Sequence, residues 1–175
     1  WATGNVHWVV SDENINAFPT LNSNGDIAWS SRSQEDNRFH LVVQTVRGRR
    51  SIDDGKSDWI LPSFLGDDRL RVFRITDGSL HLVELDLRTR DPLLTAIALP
   101  IVEAGATRTL AWQLAAANQP TYWHQTHAFY HPLFHRMAIW KPNDKPELVP
   151  LAQGSVAATP ALDNTWLVAT ENRIV

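Results

Sequence analysis

The 175-residue chain contains no cysteine, which excludes disulfide bridges, thiol nucleophiles and thiolate metal sites together. The short motifs of common enzyme chemistry are missing as well. There is no G-x-S-x-G nucleophile elbow, no G-x-x-x-x-G-K-[ST] phosphate loop, no H-E-x-x-H and no G-x-G-x-x-G. No strong charge of either sign is present: the net charge of -3 provides no basic footprint for nucleic acid or for an acidic membrane surface, so neither is expected as a partner. No apolar run is long enough to span a bilayer, and membrane insertion is not expected. The chain opens on Trp1 rather than Met, which reads as a processed product or a piece of a longer protein and leaves the compartment open.

What the chain does have is an internal repeat. The stretch PTLNSNGDIAWSS from Pro19 returns as PSFLGDDRLRVFR from Pro62, as PTYWHQTHAFYHP from Pro120 and as PALDNTWLVAT from Pro160. In each copy an apolar residue stands two places after the proline: Leu21, Phe64, Tyr122, Leu162. Ile27, Leu70 and Ala128 follow eight places after it, and the shorter fourth copy has Leu167. Each copy reads as strand, polar turn, strand. Ile27 and Trp29, or Leu70 and Val72, alternate so as to turn one face inward. Asn24-Gly25 supplies a turn tolerant of positive φ, and Asp77-Gly78 between alternating apolar runs is the strongest hairpin signal in the chain. A further strand is expected in three copies, at Phe39 to Val43, Leu80 to Leu87 and Met137 to Trp140. A period of roughly forty residues with three or four strands per unit points to an all-β fold of the β-propeller kind, whose small sheets bury their faces only by stacking.

The first copy resembles the repeat of TolB-type, WD-like propellers, in which a proline, an apolar residue, a Ser-Pro-Asp-Gly-like turn and an Ile-Ala-aromatic-Ser strand follow one another. Here those places read Pro19, Leu21, Asn22-Ser23-Asn24-Gly25 and Ile27-Ala28-Trp29-Ser30. The match fades through the later copies, and copy three carries Trp123-His124-Gln125 where the turn stood. The resemblance implies a propeller and a periplasmic or other extracytoplasmic setting. It does not imply an activity, because propellers of this type serve as binding platforms, as transport-complex components and as accessory domains of enzymes.

These readings divide residues 1–175 into units of about 18–58, 59–100, 119–154 and 155–175, with 1–17 as a stray outer strand around Val6 to Val10. About four blades are expected, the first and last incomplete. The end segments either close on each other or seek missing blades, a partner protein or a second copy of the chain, because an open sheet edge is a template for pairing. A charged excursion runs from Arg32 to Arg38, and Arg47-Gly48-Arg49-Arg50 forms a basic turn with too little charge around it for nucleic acid. Asp53-Asp54-Gly55-Lys56-Ser57-Asp58 lacks the spaced ligands of a calcium loop and reads as a solvated connection. Asp53, Asp67 and Asp86 read as turn residues. One short inserted helix is expected near 107–117, with Leu110 and Leu114 on one face and Asn118 before Pro120 to end it.

The third unit carries the chemically suggestive cluster, since four of the seven histidines fall between His124 and His135. On a strand His127 and His131 share a face, while His124 lies in a turn and His135 lies beyond Pro132. Imidazole suits zinc or iron, usually with a carboxylate, yet no acidic residue stands between Glu103 and Asp144. No metal or cofactor is therefore expected. Tyr122, Trp123, His124, His127 and His131 are the candidate lining of a carbohydrate or peptide site, with flat rings beside polar handles. Two functions remain open: a non-catalytic binding or scaffolding module for a protein or carbohydrate, or a fragment or accessory domain of a propeller enzyme with a histidine-lined metal or substrate site.

Overall fold

The computed structural model describes residues 9–102, 105–109, 121–123, 126–131, 136–141, 147–151, 153, 155–160, 165–170 and 174. They form an all-β protein of consecutive antiparallel meanders. The first sheet takes β1 (Ile15–Leu21), β2 (Ile27–Arg32), β3 (His40–Thr45) and β4 (Gly48–Ile52) in chain order. The second takes β5 (Asp58–Phe64), β6 (Arg69–Thr76), β7 (Ser79–Asp86) and β8 (Ile97–Val102). A third four-stranded sheet contains β9 (Thr121–Trp123), β10 (Thr126–His131), β11 (Arg136–Lys141) and β12 (Glu147–Pro150), and β13 (Ser155–Pro160) pairs with β14 (Trp166–Thr170). The inserted helix expected near 107–117 lies beyond Thr109 outside the described residues, as does most of the strand expected at Val6 to Val10.

The repeat proline has a backbone counterpart. In β1 the pairing register slips between Ala17 and Thr20, and in β5 it slips between Ile60 and Ser63. At each slip the residue before proline is left-handed: Phe18 has φ 58° and Leu61 has φ 57°. Proline has no N–H to give to a ladder, so it is tolerated where a bulge has already broken the pairing. The two units thus repeat a backbone irregularity as well as a sequence.

Turn chemistry sets the remaining registers. Asp77 and Gly78, at φ 49° and 76°, are the two central residues of the β6–β7 hairpin, the double positive φ of a type I′ turn. In the longer β1–β2 loop the Asn22 side-chain oxygen accepts from the amides of Asn24 (3.0 Å) and Asp26 (2.8 Å), and Gly25 takes φ 82°. The basic segment 47–50 is only in part a turn. Val46 and Arg47 make the turn, and Gly48-Arg49-Arg50 opens β4, because Arg49 and Arg50 pair with Gln44 and Val43 of β3.

Both faces of the second sheet are buried, where the alternation of Leu70 and Val72 promised one. Leu70, Val72, Val83 and Leu85 pack with Ala28, Leu41 and Val43 of the first sheet and with Trp59. Phe73, Ile75, Leu80 and Leu82 belong to a second cluster with Ile60, Leu99 and Ile101. A sheet covered on both faces has little use for strict polar alternation. The departures are charged: Arg71 and Glu84, each 5% exposed, stand opposite each other on β6 and β7, and Arg69 donates to Glu84 at 2.9 Å. Burial lowers the pKa of Arg71 to about 10, against the opposing pull of Glu84.

One joint recurs between sheets. The Phe39 amide, just ahead of β3, donates to the Asp58 carboxylate at the start of β5 (2.8 Å), and the Trp59 amide donates back to the Phe39 carbonyl (2.8 Å). In the later pair of sheets the Met137 amide of β11 donates to the Ser155 hydroxyl at the start of β13 (2.9 Å). A side-chain oxygen opening the next sheet's first strand thus closes an amide near the start of the previous sheet's third strand. Among the described residues no helix is long and apolar enough to cross a membrane.

Candidate functional site

Of the residues singled out in the sequence, Tyr122 and Trp123 lie on β9 and His127 and His131 on β10. Tyr122 pairs with His127, and Trp123 with Thr126. His127 also faces Trp140 across β10–β11, and His131 pairs with Arg136. The register therefore sets Tyr122 and His127 side by side and puts His131 at the far end of β10. His124 lies outside the described residues, as does His135.

A different site appears at the end of the first two sheets where four hairpin connections meet. The β1–β2 and β3–β4 turns of the first sheet and the β5–β6 and β7–β8 connections of the second surround an open cleft of about 750 Å³. This lies within the range of roughly 300–1,000 Å³ usual for ligand sites. Arg47, Arg49, Arg50, Arg88 and Arg90 line it, with Asp26, Asp67 and Asp68 as its acidic members. No aromatic ring among the described residues does so.

Three of the arginines are committed to the frame. Arg50, half-buried, donates through Nη1 to the Thr89 carbonyl (3.1 Å) and through Nη2 to the Leu87 carbonyl (2.6 Å), so that β4 holds the backbone of the β7–β8 connection. Burial lowers its pKa below the ordinary value. Arg49 donates to the Gln44 side chain at 3.0 Å and lies over the Trp29 ring, 5.1 Å from its centre. Arg88 grips Asp86 through Nε (3.0 Å) and Nη2 (2.6 Å). The Arg88 side-chain hydrogen bonds, then its amide, bring the Asp86 carboxyl down to about 2, and the pairing raises the pKa of Arg88.

Arg47 and Arg90 are exposed, and their guanidinium groups make no hydrogen bond or ion pair among the described residues. They stand on the connections that follow β3 and β7, at equivalent places in successive units. The walls around them are tied together. The Ser23 hydroxyl donates to Asp67 (2.7 Å), the Asn22 amide group donates to the Asp67 carbonyl (3.2 Å), and the Leu87 amide donates to the Asp68 carbonyl (2.7 Å). The cleft is thus a built concavity with positive side chains free to engage an anion. Asp53 and Asp86, read as turn residues, accept from amides two places further on, whereas the Asp67 carboxylate accepts from the Ser23 hydroxyl of the β1–β2 connection.

Reading along the chain isolates 47–50 as one basic turn and misses the cleft, because the partner arginines are some forty residues away. A signal was present in the repeat: Arg47 and Arg90 stand at the same distance past Pro19 and Pro62. No family model matches the chain, and no curated protein matches it.

Proposed function

We propose that the chain is a non-catalytic binding or scaffolding module built on a β-propeller, which presents its ligand surface where the hairpin connections of neighbouring blades meet. The observation that carries this reading is the equivalence of the first two units. Each is a four-stranded meander with a left-handed residue before the repeat proline, and together they set two pairs of corresponding connections around one cleft. The recurring joint at Asp58 and at Ser155 supports the same stacking. Binding fits better than catalysis because the cleft's charged groups are held by the frame or open to water, and the hydroxyl–carboxylate pair in its wall, Ser23 with Asp67, ties two connections together. The test is an array of immobilised peptides and oligosaccharides probed with the purified chain, each hit measured by calorimetry. Saturable binding without chemical change of the ligand is the expected result. Turnover of a bound ligand, or an array with no binder, overturns the module.

A further inference from the structure

We infer that the arginine cleft takes an acidic segment of a partner polypeptide, with Arg47 and Arg90 gripping its carboxylates. The inference rests on the binding-module reading above and names its partner. A guanidinium presents a planar fork that pairs with a carboxylate through two parallel hydrogen bonds, and only a guanidinium not already paired can do so without breaking a bond. Arg47 and Arg90 meet that condition among the described residues, whereas Arg49, Arg50 and Arg88 are engaged in holding the walls. The fixed arginines still contribute field. On a chain of net charge -3 they make this end a local positive region that draws an acidic segment in.

The surroundings select a peptide over other anions. Val46, 94% exposed at the tip of the β3–β4 turn beside Arg47, and Leu87 on the neighbouring connection give apolar contacts between the charges. A segment in which acidic and apolar side chains alternate fits that pattern. A sugar or a nucleobase would want a ring to stack on, and the described lining has none.

Fluorescence anisotropy at low salt tests this with a short fluorescein-labelled peptide of alternating glutamate and leucine, and its glutamine counterpart as control. The glutamate peptide binds saturably and the glutamine peptide at least about tenfold more weakly, with affinity falling as salt is added. The double variant Arg47→Ala/Arg90→Ala loses at least about tenfold in affinity, and Arg47→Lys/Arg90→Lys, which keeps charge without the fork, falls between. Thermal unfolding of both variants matches the parent, since neither guanidinium holds another described residue. Equal binding by the alanine variant, equal binding of the glutamine peptide, or heparin binding that needs both arginines while the glutamate peptide fails to bind, overturns the inference. A ligand from the array that binds independently of Arg47 and Arg90 also overturns it while leaving the module reading in place, whereas an array with no binder removes both.

Discussion

Asp86 and Arg88 show how much of this surface is decided by single side chains. The carboxylate accepts from the Arg88 amide at 2.9 Å as well as from its guanidinium, so one acidic residue fixes the start of the connection that carries Arg90. Its pKa of about 2 lies below the ordinary 3.8, and the sign follows. The pairing stabilises the fold fully above the unfolded carboxylate's pKa and is lost as the pH falls through about 2. The contribution is small, because the Arg88 side chain is mostly exposed and water screens the pair. A carbon-detected NMR titration of the Asp86 carboxyl should give a midpoint near 2, and Arg88→Ala should return it towards 3.8. An unchanged midpoint in the variant would show that Arg88 does not set it. Asp77 illustrates the other residue-scale device, since aspartate tolerates the left-handed backbone that its two-residue turn imposes.

At the scale of elements, the informative contact is the joint between the first two sheets. Asp58 opens β5, and its carboxylate accepts from the Phe39 amide of the previous sheet through Oδ1 and from Arg108, beyond β8, through both oxygens (3.0 and 2.8 Å). Asp58→Ala leaves the Phe39 amide without its acceptor and Arg108 without its counter-ion, and should cost about 2–3 kcal/mol in urea unfolding. Asp58→Asn keeps an acceptor oxygen for the amide and should lose only about 1 kcal/mol. Equal losses in the two variants would mean that the charge pair with Arg108, rather than the amide bond, makes the joint. The buried Arg71 and Glu84 belong to the same scale. They occupy facing places in two strands whose other buried residues are almost all apolar, and a charge taken out of water is tolerated there only because its partner lies across the ladder.

For the molecule as a whole, the propeller reading predicts one compact disc rather than two separate pairs of sheets. A compact chain of 175 residues should have a radius of gyration of about 16 Å. Small-angle scattering from a monodisperse sample checks this. A clearly larger radius, with a two-lobed distance distribution, would separate the first two sheets from the rest and remove the ring while leaving the meanders intact. The arginine cleft would survive that outcome, since it is built within the first two sheets.

The all-β class, the β6–β7 hairpin and the repeat unit were legible in the chain because each rests on local pattern. Asp77-Gly78 permits one kind of turn, period-two alternation permits one kind of ladder, and Pro19 and Pro62 mark where the pairing of β1 and β5 slips. The fourth strand of the first sheet was harder to read. Gly48-Arg49-Arg50-Ser51-Ile52 has no apolar alternation, and β3 recruits it by backbone hydrogen bonds that any side chain permits. Burial of both faces of the second sheet likewise could not be read from Leu70 and Val72, because it depends on what stacks above and below. The candidate site divides in the same way. His127 and His131 could be read onto one strand from their spacing, whereas the pairing of Tyr122 with His127 comes from the β9–β10 register. The cleft needed the tertiary structure, because Arg47 and Arg90 belong to different sheets and only face-to-face packing of those sheets brings their connections together. The sequence by itself determined the strands that carry their own apolar alternation and the turns that close them, since those choices are settled within a few residues. Tertiary structure decided which charged ends meet, since stacking buries apolar faces and leaves the turns to gather at the rim.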